Sequence, residues 1–353
     1  YLASWFRTLS NFSSAHMVTN SIEQSALLKE KTFPLGARLI SFDVINMFTK
    51  IPVMHTINIM VSLLEKHRLP TNTISEFKSL ITLCLEKNIC HFQDKTYRFP
   101  DGLPMGGPLS TLMVEIYMAE MENQLLSDPN IAQNILFYRR YVDDILCIWH
   151  GSNDCLDQFL QTMNNFHPSV KFTLEIGNDK INYLDLTIRL TTTPSGLVPD
   201  FSIYRKSAFT GLSIANDSLH PRPHKLAVVN AAIHRLLHLP LSAKSQEDEI
   251  RIIQDIANLN CLRIEVPKMV RKKRLRLLLH GSPEQGSSAP GNSHAAQRKR
   301  WIRLTDLGKP SNLFARELRK MGYQAAFYPV TTLSSLSKLK DKIPWRIARA
   351  YTA

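Results

Sequence analysis

An α+β fold, in which a mixed sheet precedes a helical subdomain, is predicted from three observations on the sequence. A short, mostly apolar run at Leu39–Val44, bounded by Gly36 and Pro52, reads as a buried strand. Apolar and aromatic residues flank a tight turn at Val142-Asp143-Asp144, so Leu136–His150 reads as two strands. After His220 the pattern turns helical, at Lys225–Leu239 and Ser245–Leu259.

The other elements follow in order. Helical apolar spacing covers His55–His67 and Thr73–Asn88, with Pro70 separating them. Ile89–Phe99 mixes β-branched, aromatic and polar residues like a hairpin, and Pro100-Asp101-Gly102 is a turn. Pro108, suited to a first helical turn, opens a helix that runs to Leu126. A short helix at Asp154–Phe166 leads to strands at Val170–Ile176, Lys180–Leu190 and Leu197–Arg205. Gly281–Ala296, rich in Gly, Ser and Pro, is a linker, and Arg298–Pro344 a small basic αβ appendage.

A chain of 353 residues accommodates about two domains. Its 44% hydrophobic and 21% charged residues suit a globular protein rather than a disordered one. No apolar run approaches the roughly 20 residues of a membrane span. The best candidate, Leu226–Leu241, is broken by Asn230, His234 and Arg235. With no basic-then-apolar leader either, an intracellular protein is expected, nuclear or cytoplasmic, with no membrane partner. The five cysteines lack CxxC spacing and read as reduced, mostly core thiols, without a zinc site. A net charge of +13 and a pI near 9.5 suit a polyanionic partner. Between Arg263 and Arg303 eleven Lys or Arg face only Glu265 and Glu284. That basic arm fits nucleic-acid binding; a solvated or nuclear-targeting basic run is the plainer alternative.

Carboxylates carry the chemistry. Asp43 stands near the end of an otherwise apolar strand, and Asp143 and Asp144 stand side by side among Leu136, Phe137, Ile145, Leu146, Ile148 and Trp149. Acids in apolar surroundings cost several kcal/mol unless something compensates, and adjacent like charges add to the cost. With no His or Cys cluster nearby, a hard cation such as Mg²⁺ is the natural compensation. Two-metal phosphoryl transfer needs such carboxylates on strand ends that meet. A lone Asp-Asp pair is more often only a turn. Between the acidic segments lies Asp101-Gly102-Leu103-Pro104-Met105-Gly106-Gly107-Pro108-Leu109-Ser110, whose Gly/Pro-rich turn lets backbone approach a ligand closely.

These segments resemble a family. SFDVINMFTKIP is similar to polymerase motif A, GLPMGGPLS to motif B, and YRRYVDDIL to the YxDD motif C of reverse transcriptases. The flavour is that of Penelope-like retroelements, relatives of telomerase reverse transcriptase. INYLDLTI, FSIYRKSAFTG and HPRPHKLAVVNAAIHRLL extend the resemblance in the same order. It implies a right-hand polymerase: partial fingers over 1–38, a palm over 39–215, a helical thumb over 216–262, a basic segment and flexible linker over 263–297, and a connector over 298–353. It implies RNA-directed DNA synthesis, with an RNA template, a DNA primer, dNTP substrates and two Mg²⁺ ions, or Mn²⁺ in their place.

The roles it implies fall on matching positions. Asp43, Asp143 and Asp144 hold the metals, with the Val44 carbonyl as a further ligand. Phe48 would exclude a 2′-hydroxyl, or is simply a core residue. Gly106 and Gly107 would line the templating base pair. Lys171 would donate a proton to pyrophosphate, or is a surface lysine. Tyr204-Arg205-Lys206 resembles the primer grip, or is a basic strand end. Lys225, His234 and Arg235 on the thumb would reach phosphate, or are a solvated helix face. Arg271–Arg276 reads equally as a nuclear signal or an RNA contact. Gly107 stands where the family usually has Ser, and Thr111 near its usual Pro. The basic fingers motif expected before motif A is not found, and Lys338–Pro344 resembles the segment before a GIY-YIG nuclease, so a fragment, a truncated copy of an element or part of a longer protein is expected. A non-catalytic nucleic-acid-binding remnant and an RNA-directed RNA polymerase are the competing readings.

Overall fold

The computed structural model describes residues 1–86, 89–98, 102–280, 300–307 and 309–329. The Pro100-Asp101 part of the predicted turn, the Gly281–Ala296 linker and Lys338–Pro344 lie outside them. The chain divides into two compact units, Tyr1–Tyr204 and Arg205 onward. The division falls ahead of the palm–thumb boundary that the resemblance implies at 215/216.

In the first unit, α1 (Leu2–Ser10) and α2 (Ser21–Leu28) precede β1 (Arg38–Val44). Then come α3 (Met47–Lys50), α4 (Val53–Lys66), α5 (Thr71–Glu86) and the hairpin β2 (Ile89–Phe92) and β3 (Lys95–Arg98). After α6 (Ser110–Leu126) and α7 (Pro129–Ala132) run β4 (Ile135–Tyr141) and β5 (Asp144–Trp149). The unit ends with α8 (Asn153–Asn165), β6 (Phe172–Asn178), β7 (Lys180–Tyr183), β8 (Leu186–Thr193) and β9 (Gly196–Ile203). The span predicted as one strand at Lys180–Leu190 is a hairpin, because Leu184 turns the chain at φ 56.

The central sheet has the order β4-β5-β1-β6, and each neighbouring pair is antiparallel. Its apolar residues point both ways, which explains why Leu39–Val44 shows a run rather than clean alternation. On one face Ile40, Phe42, Val44, Ile145, Cys147 and Trp149 join a core supplied by α4, α5, α6 and α8. Trp149 stacks on Phe159 with centroids 5.7 Å apart, and burying each such ring stabilises by roughly 1.5–3 kcal/mol. On the other face burial fades along β1 from Leu39 through half-buried Ser41 to exposed Asp43. The sheet is therefore dry at one end and open at the other. The free edge of β4 is bridged by the chain at 16–18, where the Arg140 amide donates to His16 O at 2.9 Å and the Val18 amide to Arg140 O at 2.8 Å. β7, β8 and β9 form a second antiparallel sheet.

Local signals fix the helix starts. Ser152 Oγ accepts from the Cys155 amide at 3.2 Å to cap α8, and Asn20 accepts from the Glu23 amide to cap α2. α6 is buried nearly all round, so its sequence carries no amphipathic stripe.

The second unit contains α9 (Arg222–Lys225), α10 (Ala227–His238), α11 (Ala243–Leu259) and α12 (Val266–His280). Then come β10 (Arg300–Asp306), α13 (Lys309–Lys320) and β11 (Tyr323–Pro329), with β10 and β11 parallel. The basic stretch Arg271–Arg276 is thus helical and, except for half-buried Lys273, lies largely in solvent. The expectation of mostly core cysteines is corrected: Cys147 is buried and Cys155 intermediate, but Cys84 and Cys261 are exposed, on helix and turn surface. Among the described residues no helix is long and apolar enough to cross a membrane.

Candidate active site

β1 and β5 bring the predicted carboxylates together. Their antiparallel register sets Asp43 directly opposite Asp144, which puts both side chains on the same face. Asp143 precedes Asp144 in the two-residue turn that joins β4 to β5. Asp43 is exposed, and Asp143 and Asp144 are half-buried. The cost of burial expected from the apolar neighbours is reduced, because those neighbours face the core while the acids occupy the open end of the sheet. What remains still acts on Asp43: burial, then the charge of Asp143, push its carboxyl up, against a hydrogen bond from the Val44 backbone. Like charges are therefore held close together by the backbone. Among the described residues no three His, Cys, Asp or Glu side chains converge closely enough to hold an ion by themselves.

The turn itself is unusual. Val142 adopts φ 53, a left-handed conformation that a β-branched residue rarely takes. Arg140 Nη1 donates to Val142 O at 3.0 Å, and the Tyr183 hydroxyl donates to Asp144 O at 3.0 Å. Arg140 is fully buried and forks onto Glu122, Nε to Oε1 at 2.5 Å and Nη2 to Oε2 at 3.1 Å. Burial opposes the Arg140 charge, but Glu122 more than restores it and holds the guanidinium protonated. Tyr138 donates its hydroxyl to the same Glu122 oxygen at 3.2 Å.

Sequence reasoning missed Arg140, Glu122 and Tyr183. A signal existed: Glu115 and Glu122 lie seven residues apart, on one face of a helix whose stretch Leu112–Ala119 is apolar apart from Glu115, so acids on that face call for partners. Arg7 pairs with Glu115 at 2.6 Å and Arg140 with Glu122.

The motif B loop is tied to motif A. The Leu103 amide donates to Phe48 O at 2.6 Å, and a Cβ on Gly102, at φ +85, would lie 2.5 Å from Thr49 O. Gly106, at φ +81, has open space where a Cβ would sit, whereas one on Gly107 would meet Ser110 Oγ at 2.5 Å. Phe48 is half-buried against the core, and Val44 buries its side chain. Lys171 is exposed; its Nζ donates to Asn164 O at 2.6 Å. The Tyr204 amide donates to Asp185 O at 2.8 Å.

The remaining predicted contacts belong to the second unit. Arg205 makes a bidentate pair with buried Glu249 and lies over the Phe209 ring at 5.6 Å, so its guanidinium shapes its own segment. Lys206 is exposed. Lys225 Nζ donates to Asn216 O at 2.8 Å, and Arg235 lies half-buried on α10.

Residues 5–193, more than half of the chain, match the sequence profile of the reverse transcriptase (RNA-dependent DNA polymerase) family. No curated protein matches the chain. Among solved structures, telomerase from Candida albicans in complex with a fragment of telomeric RNA aligns with a TM-score of 0.50 at 12% identity, over 73% of this chain and 47% of that one. A truncated Candida tropicalis telomerase gives 0.40 at 16% identity, over 53% and 43%. The BmCPV RNA-dependent RNA polymerase gives 0.47 at 11%, over 74% and 23%. This chain spans less than half the length of each of these structures. At such identities the likeness concerns the polymerase fold alone, and the family rests on the profile match, which includes Asp43, Asp143 and Asp144: the chain belongs to the reverse transcriptase family.

Proposed function

We propose that this chain is the polymerase core of an RNA-directed DNA polymerase from a Penelope-like retroelement, adding dNTPs to a DNA primer on an RNA template. The observation that carries the reading is the Asp43–Asp144 pairing, with Asp143 beside it, at the open end of a sheet in a reverse transcriptase-family chain. The palm would span 39–215 and the thumb 216–262, with the basic segment and connector after them.

The donor set suits Mg²⁺. It is all oxygen and bears close like charges, as the raised Asp43 carboxyl indicates. Mg²⁺ is commonly held by one or two carboxylates, with waters and substrate phosphates completing its shell, so a full protein cage is not required. Asp43, Asp143, Asp144 and the Val44 carbonyl would hold the ions, which supply charge stabilisation for in-line phosphoryl transfer. The chain's own residues orient the reactants. Gly106 would leave room for a base pair, and Phe48, half-buried against the core, would exclude a 2′-hydroxyl as the family resemblance implies. Lys171 would have to leave Asn164 O to reach pyrophosphate. Tyr204, Arg205 and Lys206 would support the primer, with Arg205 acting through the shape of its segment. Lys225 and Arg235 would meet backbone phosphate.

Primer extension on an RNA template with dNTPs and Mg²⁺ tests the reading. Extension by the wild type that disappears in Asp43→Asn, Asp143→Asn and Asp144→Asn is the expected result. Duplex binding without extension by the wild type would instead favour a non-catalytic remnant. Extension with rNTPs in preference to dNTPs would favour RNA synthesis.

A further inference from the structure

We infer that Arg140, seated on Glu122, and Tyr183 are positioning residues that fix the Val142–Asp144 turn and so keep its two carboxylates opposite Asp43. The kinetic part of this inference rests on the polymerase reading; the structural part does not. A β-branched residue in a left-handed conformation persists only where its surroundings over-determine it. Here two donors grip successive parts of one turn: Arg140 Nη1 on the Val142 carbonyl, and the Tyr183 hydroxyl on the Asp144 carbonyl, each at 3.0 Å. Both act on backbone, so they set the turn's shape independently of the side chain at 142.

Neither donor is free to drift. Arg140 and Glu122 are each no more than 1% exposed, and their fork uses the other guanidinium edge. The Arg140 backbone is held on its outer side by His16 and Val18. Tyr183 is buried on β7, in a different sheet from the turn it contacts. A buried Arg–Glu pair alone is weak evidence of any role beyond packing. What distinguishes this one is the target of its spare N–H, the residue immediately before Asp143. Lysine cannot replace it, because a point ammonium cannot fork onto Glu122 and also reach a carbonyl. Glu122 lies on α6, the helix that follows the Gly106-Gly107 loop, so the same pair couples the motif B helix to the motif C turn.

The test uses Arg140→Lys, which keeps the charge, and Tyr183→Phe, which removes only a hydroxyl. Two readouts are taken: kcat and the dNTP KM in primer extension, and amide hydrogen exchange across 141–146. For Arg140→Lys we expect kcat to fall about tenfold or more with KM within about twofold, as misplacement of reacting groups predicts. Exchange in the turn should quicken by about tenfold while β1 away from the turn is unchanged. Tyr183→Phe should show the same split at roughly three- to tenfold. If Arg140→Lys does not fold, Tyr183→Phe carries the test alone. Unchanged turn exchange in the folded variants overturns the inference, whether or not kcat falls. Faster exchange with an unaltered kcat in an active enzyme also overturns it. Faster exchange in a protein whose wild type extends no primer leaves the turn support standing and sinks the polymerase reading instead.

Discussion

The two units hold their charged groups by different means. In the first, the groups at the site are fixed by buried neighbours: Arg140 forks onto Glu122, Tyr183 reaches the turn, and Gly102 lies against the Thr49 backbone. In the second, Arg271, Lys272, Arg274 and Arg276 lie exposed on α12. Arg205, the exception, pairs with buried Glu249 yet keeps 17% of its side chain exposed, against none for Arg140. The contrast teaches where a substitution should register. Changes in the first unit should appear as lost stability and lost turnover. Changes on α12 should appear as lost affinity and altered salt dependence.

The largest expected effect is on the buried pair. Glu122→Ala strands a buried guanidinium and should cost about 3–5 kcal/mol in chemical denaturation. Glu249→Ala should cost less, since Arg205 can turn its charge to water. An equal or greater loss for Glu249→Ala would break the comparison. Next comes Gly102→Ala, which combines a positive φ with a backbone clash and should cost roughly 2–4 kcal/mol, measured the same way. Wild-type stability in that variant would mean that the motif A and motif B loops are not tied as described.

Lys272→Ala and Arg276→Ala sharpen the other half of the contrast. Each should leave the melting temperature unchanged and weaken binding to primer–template duplex, lowering the slope of log K against log salt by about one. Fluorescence anisotropy across a salt series measures this, and an unchanged slope would remove α12 from the interface.

The smallest effect concerns His234, which stacks on His238 with centroids 4.0 Å apart. Burial first, then His238 and Lys273, hold its pKa below the usual histidine value. The unfolded chain therefore takes up that proton first. Stability should be fully present above about pH 6.5 and decline as pH falls toward the lower folded value. His234→Gln should flatten that part of a melting-temperature profile; an unaltered profile would count against the assignment.

Local patterns made much of the fold legible. Leu39–Val44, the strands flanking Val142-Asp143-Asp144 and the helix after Pro108 all lie where period and punctuation indicated. The carboxylates were legible because acids interrupt apolar runs. The supports were not, because they depend on pairing across the fold: Glu122 meets Arg140 from a neighbouring element, and Tyr183 meets Asp144 from another sheet. The Leu184 turn was hidden inside a strand-like alternation over Lys180–Leu190, with no Gly or Pro to mark it. α1 and α2 escaped notice because each is short, nine and eight residues, and α2 also lacks a clear apolar stripe.

The pairing of Asp43 with Asp144 also has a consequence for the order of events in folding. The β4–β5 hairpin closes locally, but β1 joins it across the long intervening chain that contains α3 to α7. Closing so long a loop is slow compared with forming a hairpin. The two strand ends that meet at its closure carry like charges, so the acids oppose the step that creates the site. A divalent cation present during refolding should therefore accelerate assembly of the sheet.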